Sequence, residues 1–162
     1  MAGRKCRRQT GEIVNLETYL DPTPEQGRAL FTRGLSGSVV MLNLLRFRPV
    51  ADYSATPRLA PATPISGEEA YRLYMEHTLP HLKASGGEVL FYGNGGSFLI
   101  GPGNECWDVA MLVRQSSLQS FLTFASNQDY LSGIGHRTAA VEDSRLLPLV
   151  DAARVESVGS AG

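Results

Sequence analysis

Six polar side chains that lie on or beside apolar segments are the candidates for chemistry in this sequence. They are Asn43, Arg46, Tyr92, Asp108, His136 and Arg137. Polar groups on otherwise apolar strands must be hydrogen-bonded or face a cavity, because burying one without a partner costs about 1–3 kcal/mol. The six residues therefore indicate either internal pairs, such as Arg46 or Arg137 with Asp108, or a ligand site.

A ligand site built from these residues would handle a carbonyl or an acid group. Histidine exchanges protons near neutral pH, so His136 is the predicted proton-transfer residue, and guanidinium groups would hold a carboxylate or an enolate. Tyr92 and Asn43 would orient a carbonyl oxygen by hydrogen bonding. We therefore predict that His136 and Arg137 are catalytic and that the substrate-binding residues are Asn43, Arg46, Tyr92 and Asp108.

A metal site is the alternative use of the histidines. His77 and His81 stand one helical turn apart, a spacing that can place two imidazoles on one metal ion. The segment lacks the glutamate of the zinc-protease motif, contains Pro80, and has no third ligand marked by its spacing. We therefore expect hydrogen-bonded histidines in or beside the core, and we predict neither a metal nor a cofactor.

The two cysteines do not suggest chemistry either. Cys6 and Cys106 have neither the number nor the spacing of a disulfide framework or a zinc site. Acidic neighbours of Cys106 would raise its pKa, which is the wrong direction for an activated nucleophile. Both cysteines are expected to be free thiols.

Composition and charge exclude several classes of protein. Hydrophobic residues make up 43% of the chain and charged residues 19%, which predicts a folded core. No apolar stretch approaches the roughly 20 residues that cross a bilayer, so no membrane partner is expected. Four basic residues lie in the first eight positions, and the rest of the chain is acidic, which argues against a nucleic-acid partner. No signal-peptide pattern follows the basic start, so the predicted location is cytoplasmic.

The local patterns place these residues on predicted elements. Capping motifs at Thr23 and Ser66 predict helices over about 24–33 and 67–85. The apolar segment 39–47 predicts a buried strand, and the proline-rich segment 48–65 predicts an extended loop.

The second half of the chain predicts a hairpin, helices and a last strand. The hairpin consists of strand 88–92, which bends at Gly93–Gly96 and resumes over 97–100, and strand 107–114. A helix capped by Ser116, a helical piece over about 128–142, and a strand over 145–150 follow. We divide the chain into a basic arm (1–20) expected to be disordered, one domain (21–150), and a frayed tail (151–162).

The order of these elements predicts an α+β fold. After the extra N-terminal helix, strand, helix, strand, strand, helix, strand is the ferredoxin-like βαββαβ arrangement with a four-stranded antiparallel sheet. The first strand is apolar on both faces, so the side of the sheet away from the helices needs a cover. Two sheets packed face to face across a twofold axis would supply it, which predicts a homodimeric α/β barrel. Alternatively, the N-terminal segment and the long loop cover the sheet within one chain.

Several segments together resemble the domain of unknown function 1330 family. They are Met41-Leu-Asn-Leu-Leu-Arg-Phe47, Tyr74, Gly86-Gly87, and the stretch from Tyr130 through His136-Arg137 to Asp143-Ser-Arg-Leu146. The resemblance covers roughly residues 22–149 and implies the dimeric α/β barrel superfamily, with no established reaction. Relatives on that scaffold include cofactor-free oxygenases, isomerases, dehydratases and haem enzymes, so the scaffold does not select a chemistry.

Two hypotheses about function follow from these observations. The first is a dimeric, cofactor-free small-molecule enzyme that carries out proton transfer or oxygenation on an apolar acid or carbonyl compound. The alternative is a non-catalytic dimeric ligand-binding or interaction module, in which the proline-rich loop and the N-terminal helix serve a partner.

Overall fold

A computed structural model describes residues 17–151 of the chain. Its helices are α1 (Pro24–Thr32), α2 (Gly67–Ala84), α3 (Leu118–Ala125), α4 (Gln128–Leu131) and α5 (Ile134–Ala140), with a 3-10 turn at Pro57–Leu59. Its strands are β1 (Val39–Phe47), β2 (Glu88–Ser97), β3 (Cys106–Gln115) and β4 (Val141–Leu149). They form one antiparallel sheet in the order β2-β3-β1-β4. This is the ferredoxin-like order, so the predicted α+β fold is confirmed.

The first two helices begin where their capping motifs predict. The Thr23 hydroxyl accepts from the Gln26 amide at 3.1 Å, and the Gln26 side chain accepts from the Thr23 amide at 3.0 Å. Ser66 and Glu69 form the same reciprocal pair at 3.1 and 2.8 Å. Both motifs satisfy amide groups that the helix itself leaves unpaired, which is why the sequence locates these starts well.

The hairpin differs from its prediction in where it is irregular. β2 is continuous through the glycines, and its pairing with β3 shifts between Val89 and Phe91 instead. A Cβ atom on Gly95 would lie 2.5 Å from the carbonyl oxygen of Trp107. This glycine therefore permits a close approach of the two strands, and residues 98–100 belong to the turn rather than to a resumed strand.

The predicted helical piece over 128–142 is two short helices. The break falls at Ser132 and Gly133, where the imidazole of His77 from α2 occupies the space that a side chain on Gly133 would need. β4 begins already at Val141, and the cap of α3 is Ser117 rather than Ser116. The break at Gly133 involves a contact between distant segments, which local patterns do not contain.

The helices cover one face of the sheet. Leu45 of β1 and Met111 of β3 pack with Tyr71 and Tyr74 of α2 in the hydrophobic core. Tyr71 is 2% exposed. Side chains alternate along a strand, so the residues at odd-numbered positions of the central part of β1 face these helices.

The other face of the sheet carries an apolar row that the helices leave open. Phe91, Leu112, Leu42 and Leu147 occupy paired positions on the four adjacent strands. The two outer members, Phe91 and Leu147, are 57% and 53% exposed. We call these four residues the apolar row.

Two described candidates for covering this face, the stretch at Tyr19 and the proline-rich loop, make hydrogen bonds elsewhere. The Tyr19 amide donates to the Asp143 carboxylate and its carbonyl accepts from the Ser144 amide, both at 2.9 Å, at the edge of β4. The proline-rich loop packs on α5, where the Asp52 amide donates to the Ala139 carbonyl at 2.9 Å. The remainder of the predicted arm and the predicted tail, residues 1–16 and 152–162, lie outside the described residues. Within 17–151, no helix has the length and hydropathy to cross a membrane.

Gly67 should not tolerate a side chain. A Cβ atom there would lie 2.6 Å from the Ala140 carbonyl oxygen and 2.8 Å from the Arg48 amide nitrogen. Because these are backbone atoms, Gly67→Ala is expected to lower the free energy of unfolding by about 1–3 kcal/mol. Urea unfolding measures this change. The control is Gly27→Ala in α1, where the added methyl group meets open space and should be neutral or stabilising; equal effects would contradict the expectation.

Candidate functional site

Arg46 is held in a buried ion network. Its guanidinium donates to Glu142 at 2.9 Å, to Asp143 at 3.0 Å and to the Cys106 carbonyl at 3.5 Å. It also lies over the Trp107 ring, 5.5 Å from the centroid. The residue as a whole is 3% exposed. Arg46 therefore links β1 to β4 through these ion pairs.

Asp108 supports the same end of β1. Its carboxylate accepts a hydrogen bond from the Phe47 amide at 2.8 Å. The pairing of β1 with β4 shifts between Arg46 and Phe47, so the carboxylate binds the backbone where the ladder is irregular. Arg46 and Asn43 are three positions apart on β1 and point to opposite faces, so Arg46 does not join Asn43.

Arg137 connects three parts of the fold. Its guanidinium donates to the Leu20 carbonyl at 3.0 Å and to the Ser144 hydroxyl at 3.4 Å. Burial raises the pKa of Tyr71 and of Tyr130, and the charge of Arg137 acts against that rise at both phenols. Arg137 thus anchors the N-terminal segment and also lies near the buried tyrosines.

Four tyrosines form a cluster between α2, α4 and the sheet. We call Tyr71, Tyr74, Tyr92 and Tyr130 the tyrosine cluster. The hydroxyls of Tyr74 and Tyr130 are 2.8 Å apart, and the rings of Tyr71 and Tyr74 are 5.2 Å apart. Tyr92 and Tyr130 each contribute to the raised pKa of Tyr71, so the four phenols are electrostatically coupled. Burial raises the pKa of Tyr71, Tyr92 and Tyr130, so these three hydroxyl groups keep their protons and can donate hydrogen bonds.

Asn43 and Tyr92 occupy one row of the helix-covered face. Both pair with Met111 of the strand between them, and Leu146 completes the row on β4. Two strand spacings separate their backbones by about 10 Å. The Asn43 amide donates to the Met41 carbonyl on its own strand at 3.2 Å. The structure therefore brings these two predicted residues to the same layer beneath the helices.

An open groove of about 440 Å³ lies beside Tyr92. Its lining residues are Glu68, Glu69, Arg72, Met75 and Tyr92. Burial and, second, the charge of Glu68 raise the pKa of Tyr92. Of the six predicted site residues, Tyr92 is the one that lines this groove. Arg72 and Met75 were not predicted, although their three-residue spacing places them on one side of α2.

His136 lies elsewhere, under the proline-rich loop. Its Nδ1 atom is 2.8 Å from the hydroxyl of Tyr53, and the two rings meet edge to face. Burial and, to a smaller extent, the charge of His77 lower the pKa of His136 below its ordinary value of 6.5. Both effects favour the neutral form of His136. Tyr53 was not predicted, and its one signal is a phenol in a loop otherwise rich in proline and alanine.

His77 is hydrogen-bonded beside the core, as its place in the sequence predicts. Its Nε2 atom donates to the carbonyls of Asp129 and Tyr130 at 2.8 and 3.2 Å. This side chain therefore fastens α2 to α4 and holds Tyr130 against Tyr74. Residues 17–151 contain no group of three or more side chains that could hold a metal ion.

The groove and His136 lie on opposite sides of α2. Met75 lines the groove and His77 packs against Gly133, and these two residues are about 200° apart around the helix. The six predicted residues are therefore distributed over three places. Tyr92 and Asn43 share a row of the sheet, and Arg46 and Asp108 support the end of β1. The other two, His136 and Arg137, lie on α5.

Cys106 is bonded in a disulfide. The prediction of a free thiol is therefore wrong for this residue. The physical reason is tertiary, since spacing along the chain does not show which thiols meet in space. Cys6 lies outside the described residues.

The pH dependence of stability should report His136. Its pKa is lower in the folded protein than in the unfolded chain, so the unfolded chain binds more protons at mildly acidic pH. The contribution of neutral His136 to the free energy of unfolding is fully present above pH 6.5, and it is lost as the pH falls through the lowered pKa of the folded protein. His136→Gln is expected to remove this loss, whereas His81→Gln should retain it. Urea unfolding at a series of pH values measures the effect, and identical profiles for wild type and His136→Gln would contradict it.

Solved structures show which proteins the chain resembles. The crystal structure of methylated RPA0582 is 33% identical with a TM-score of 0.74, over 86% of this chain and 99% of that chain. A second structure of RPA0582, a protein of unknown function from Rhodopseudomonas palustris, is 34% identical with a TM-score of 0.73, over 85% and 100%.

More distant structures resemble the chain weakly. A dimeric ferredoxin-like protein of unknown function from Thermobifida fusca is 15% identical with a TM-score of 0.41, over 72% of this chain and 92% of that chain. No family model and no curated protein matches the chain, so the resemblance to the domain of unknown function 1330 family is not confirmed. At 33–34% identity over nearly all of RPA0582, the chain belongs to the same protein family as RPA0582.

Proposed function

We propose that the protein is a homodimer that binds a small apolar acid or carbonyl compound in the groove between α2 and β2. The observation that supports this most is the charge of Arg72. Among residues 17–151 this guanidinium has no ion-pair partner, and it lines the same groove as the Met75 thioether and the Tyr92 phenol. One cation, one phenol donor and an apolar wall fit a molecule with one oxygen-bearing end.

The acidic residues of the groove limit the charge of the ligand. Glu68 and Glu69 line it beside Arg72, and Glu69 also accepts from the Ser66 amide. Because the groove has two carboxylates and one guanidinium, each further negative charge on a ligand is repelled. A monocarboxylate or a neutral carbonyl compound therefore fits the groove better than a phosphate or a dicarboxylate.

The homodimer is supported by the apolar row. Two of its members, Phe91 and Leu147, are half-exposed at the two sides of the sheet, and Leu42 and Leu112 lie between them. Removing this apolar surface from water would stabilise an assembly that covers it. A second copy offers the same row in return, because a twofold interface uses one surface twice.

Ligand binding can be tested with a small panel of compounds. Benzoate, phenylacetate and acetophenone, titrated into the full chain by calorimetry, represent the proposed class, and inorganic phosphate represents the excluded one. Arg72→Met is expected to weaken carboxylate binding at least about tenfold, because it removes a charged hydrogen bond worth about 1.5–3 kcal/mol. Tyr92→Phe should weaken binding about threefold to tenfold, because a neutral hydrogen bond contributes about 0.5–1.5 kcal/mol.

A matched control separates the groove from general charge effects. Arg58→Met removes an exposed guanidinium from the 3-10 turn, outside the groove residues, and should leave the affinity unchanged. If no compound of the panel binds, or if Arg58→Met and Arg72→Met act alike, the proposal fails.

An enzyme is the second candidate, and His136 is the observation that favours it. A half-buried imidazole whose neutral form is favoured and that is bonded to a phenol is suited to polarise a carbonyl group from which a proton is removed, and adjacent Arg137 would hold an enolate. Exchange of the methyl protons of acetophenone into deuterated water, followed by NMR, tests for this activity. Exchange that His136→Gln slows would support a cofactor-free enzyme, whereas binding without exchange supports the non-catalytic ligand-binding module.

A further inference from the structure

We infer that Tyr53 holds His136 in the tautomer with hydrogen on Nε2, so that His136 presents a hydrogen-bond donor to a carbonyl or carboxylate oxygen. Tyr53 is then a positioning residue for His136. Its chemical use rests on the second candidate function above, but the tautomer itself follows from the contacts of the two side chains.

The first step is the direction of the hydrogen bond between them. The Tyr53 hydroxyl and His136 Nδ1 are 2.8 Å apart, and one of the two must donate. Within the described chain the Tyr53 hydroxyl has no other hydrogen-bond partner. A phenol is a stronger acid than a neutral imidazole N–H, and an imidazole lone pair is a better acceptor than a phenol oxygen. The phenol therefore donates to Nδ1, and the ring hydrogen lies on Nε2.

The second step is that Tyr53 retains its proton. Burial raises the pKa of Tyr53 above its ordinary value, which disfavours a phenolate. A relay that passes the Tyr53 proton through the imidazole to a substrate is therefore unfavourable. His136 would act by holding a hydrogen bond to an oxygen on which negative charge develops, without releasing its own proton.

The third step is that the loop is fixed where it carries Tyr53. The Asp52 amide donates to the Ala139 carbonyl, and the Ala51 amide donates to the Ile65 carbonyl, both at 2.9 Å. A Cβ atom on Gly135 would lie 2.5 Å from the Thr56 hydroxyl, so α5 and the loop touch closely next to His136. The pair is thus held from both sides, and no loop movement is needed to form the hydrogen bond.

The consequence concerns the ligand. With hydrogen on Nε2, the imidazole cannot accept a proton at that atom, so His136 is not a resting base for a C–H bond. The group that His136 recognises must offer an acceptor oxygen. This narrows the predicted proton-transfer role to polarisation of a carbonyl or stabilisation of an enolate oxygen.

Nitrogen-15 NMR of the full chain tests the tautomer directly. The imidazole nitrogen shifts of the three histidines are recorded well above pH 6.5, and His136→Gln assigns the resonance pair. The wild type is expected to show protonated Nε2 and unprotonated Nδ1 at His136. In Tyr53→Phe, which keeps the ring but removes the donor, the pattern should change to a mixture of both tautomers.

The control is Tyr19→Phe, whose hydroxyl bonds Glu17 at the surface, and it should leave the His136 shifts unchanged. A wild-type spectrum with hydrogen on Nδ1 would overturn the inference, as would a Tyr53→Phe spectrum identical to wild type. Neither outcome depends on ligand binding at Arg72, so a failure of the proposed function would be visible separately.

Discussion

Leu147→Asp is expected to convert the proposed dimer into a monomer of 17.5 kDa. Leu147 is 53% exposed at one end of the apolar row, so the single chain should tolerate the change. Burying a leucine side chain contributes about 1.5–3 kcal/mol, and a twofold interface loses that contribution twice. The dissociation constant should therefore rise at least about a hundredfold, and the charge added to an apolar interface increases the effect further.

Light scattering coupled to size exclusion at micromolar concentration measures this result. The matched control is Leu79→Asp, because Leu79 is also an exposed leucine, at 42%, but lies on α2 rather than on the apolar row. It should remain dimeric. A wild-type mass equal to that of one chain would contradict the proposed dimer, and a dimeric Leu147→Asp variant would show that the interface lies elsewhere.

Asp143→Ala should be the most destabilising substitution in the β1–β4 network. The carboxylate is 3% exposed and binds the guanidinium groups of Arg46 and Arg145 at 3.0 and 2.6 Å. It also accepts from the amides of Tyr19 and Ser144, each at 2.9 Å. Its removal leaves buried Arg46 without its main counter-charge, which costs about 3–5 kcal/mol for a buried pair.

Two comparisons make the Asp143 measurement specific. Glu142→Gln removes the other carboxylate bound to Arg46, but Glu142 is 42% exposed and its loss should cost at most about 1 kcal/mol. The double variant Arg46→Met/Asp143→Leu removes both buried charges and should be more stable than Asp143→Ala alone. Urea unfolding determines all three, and a loss below about 1 kcal/mol for Asp143→Ala would show that Arg46 does not need it.

Local signals predicted the elements of the fold because they act within a few residues. The capping boxes at Thr23 and Ser66 act over three positions, and the apolar segment of β1 is bounded by Gly37 and Pro49. The order of the elements then leaves few arrangements, which is why the α+β sheet was predictable. The break between α4 and α5 at Gly133 was not predictable in this way, because it involves a contact with His77, which lies more than fifty positions away.

The candidate site was harder to predict because its contacts join distant residues. Tyr53 and His136 are 83 positions apart, and Arg46 and Asp143 are 97 positions apart. Residue type alone shows that a buried arginine needs a partner but not which carboxylate supplies it. Strand alternation does separate Asn43 from Arg46 in advance, so part of the distribution of the six residues over three places follows from the sequence.

The edge strand β4 also limits how copies of the protein associate. The Ser144 amide already donates to the Tyr19 carbonyl, so it points away from β1, and the same holds for every second residue that follows. The next two outward-facing residues are Leu146 and Pro148, and proline has no amide hydrogen. Of three outward positions, one is therefore occupied and one has no donor. Over these three positions an incoming strand therefore finds one outward amide to pair with, that of Leu146, which disfavours filament growth through this edge.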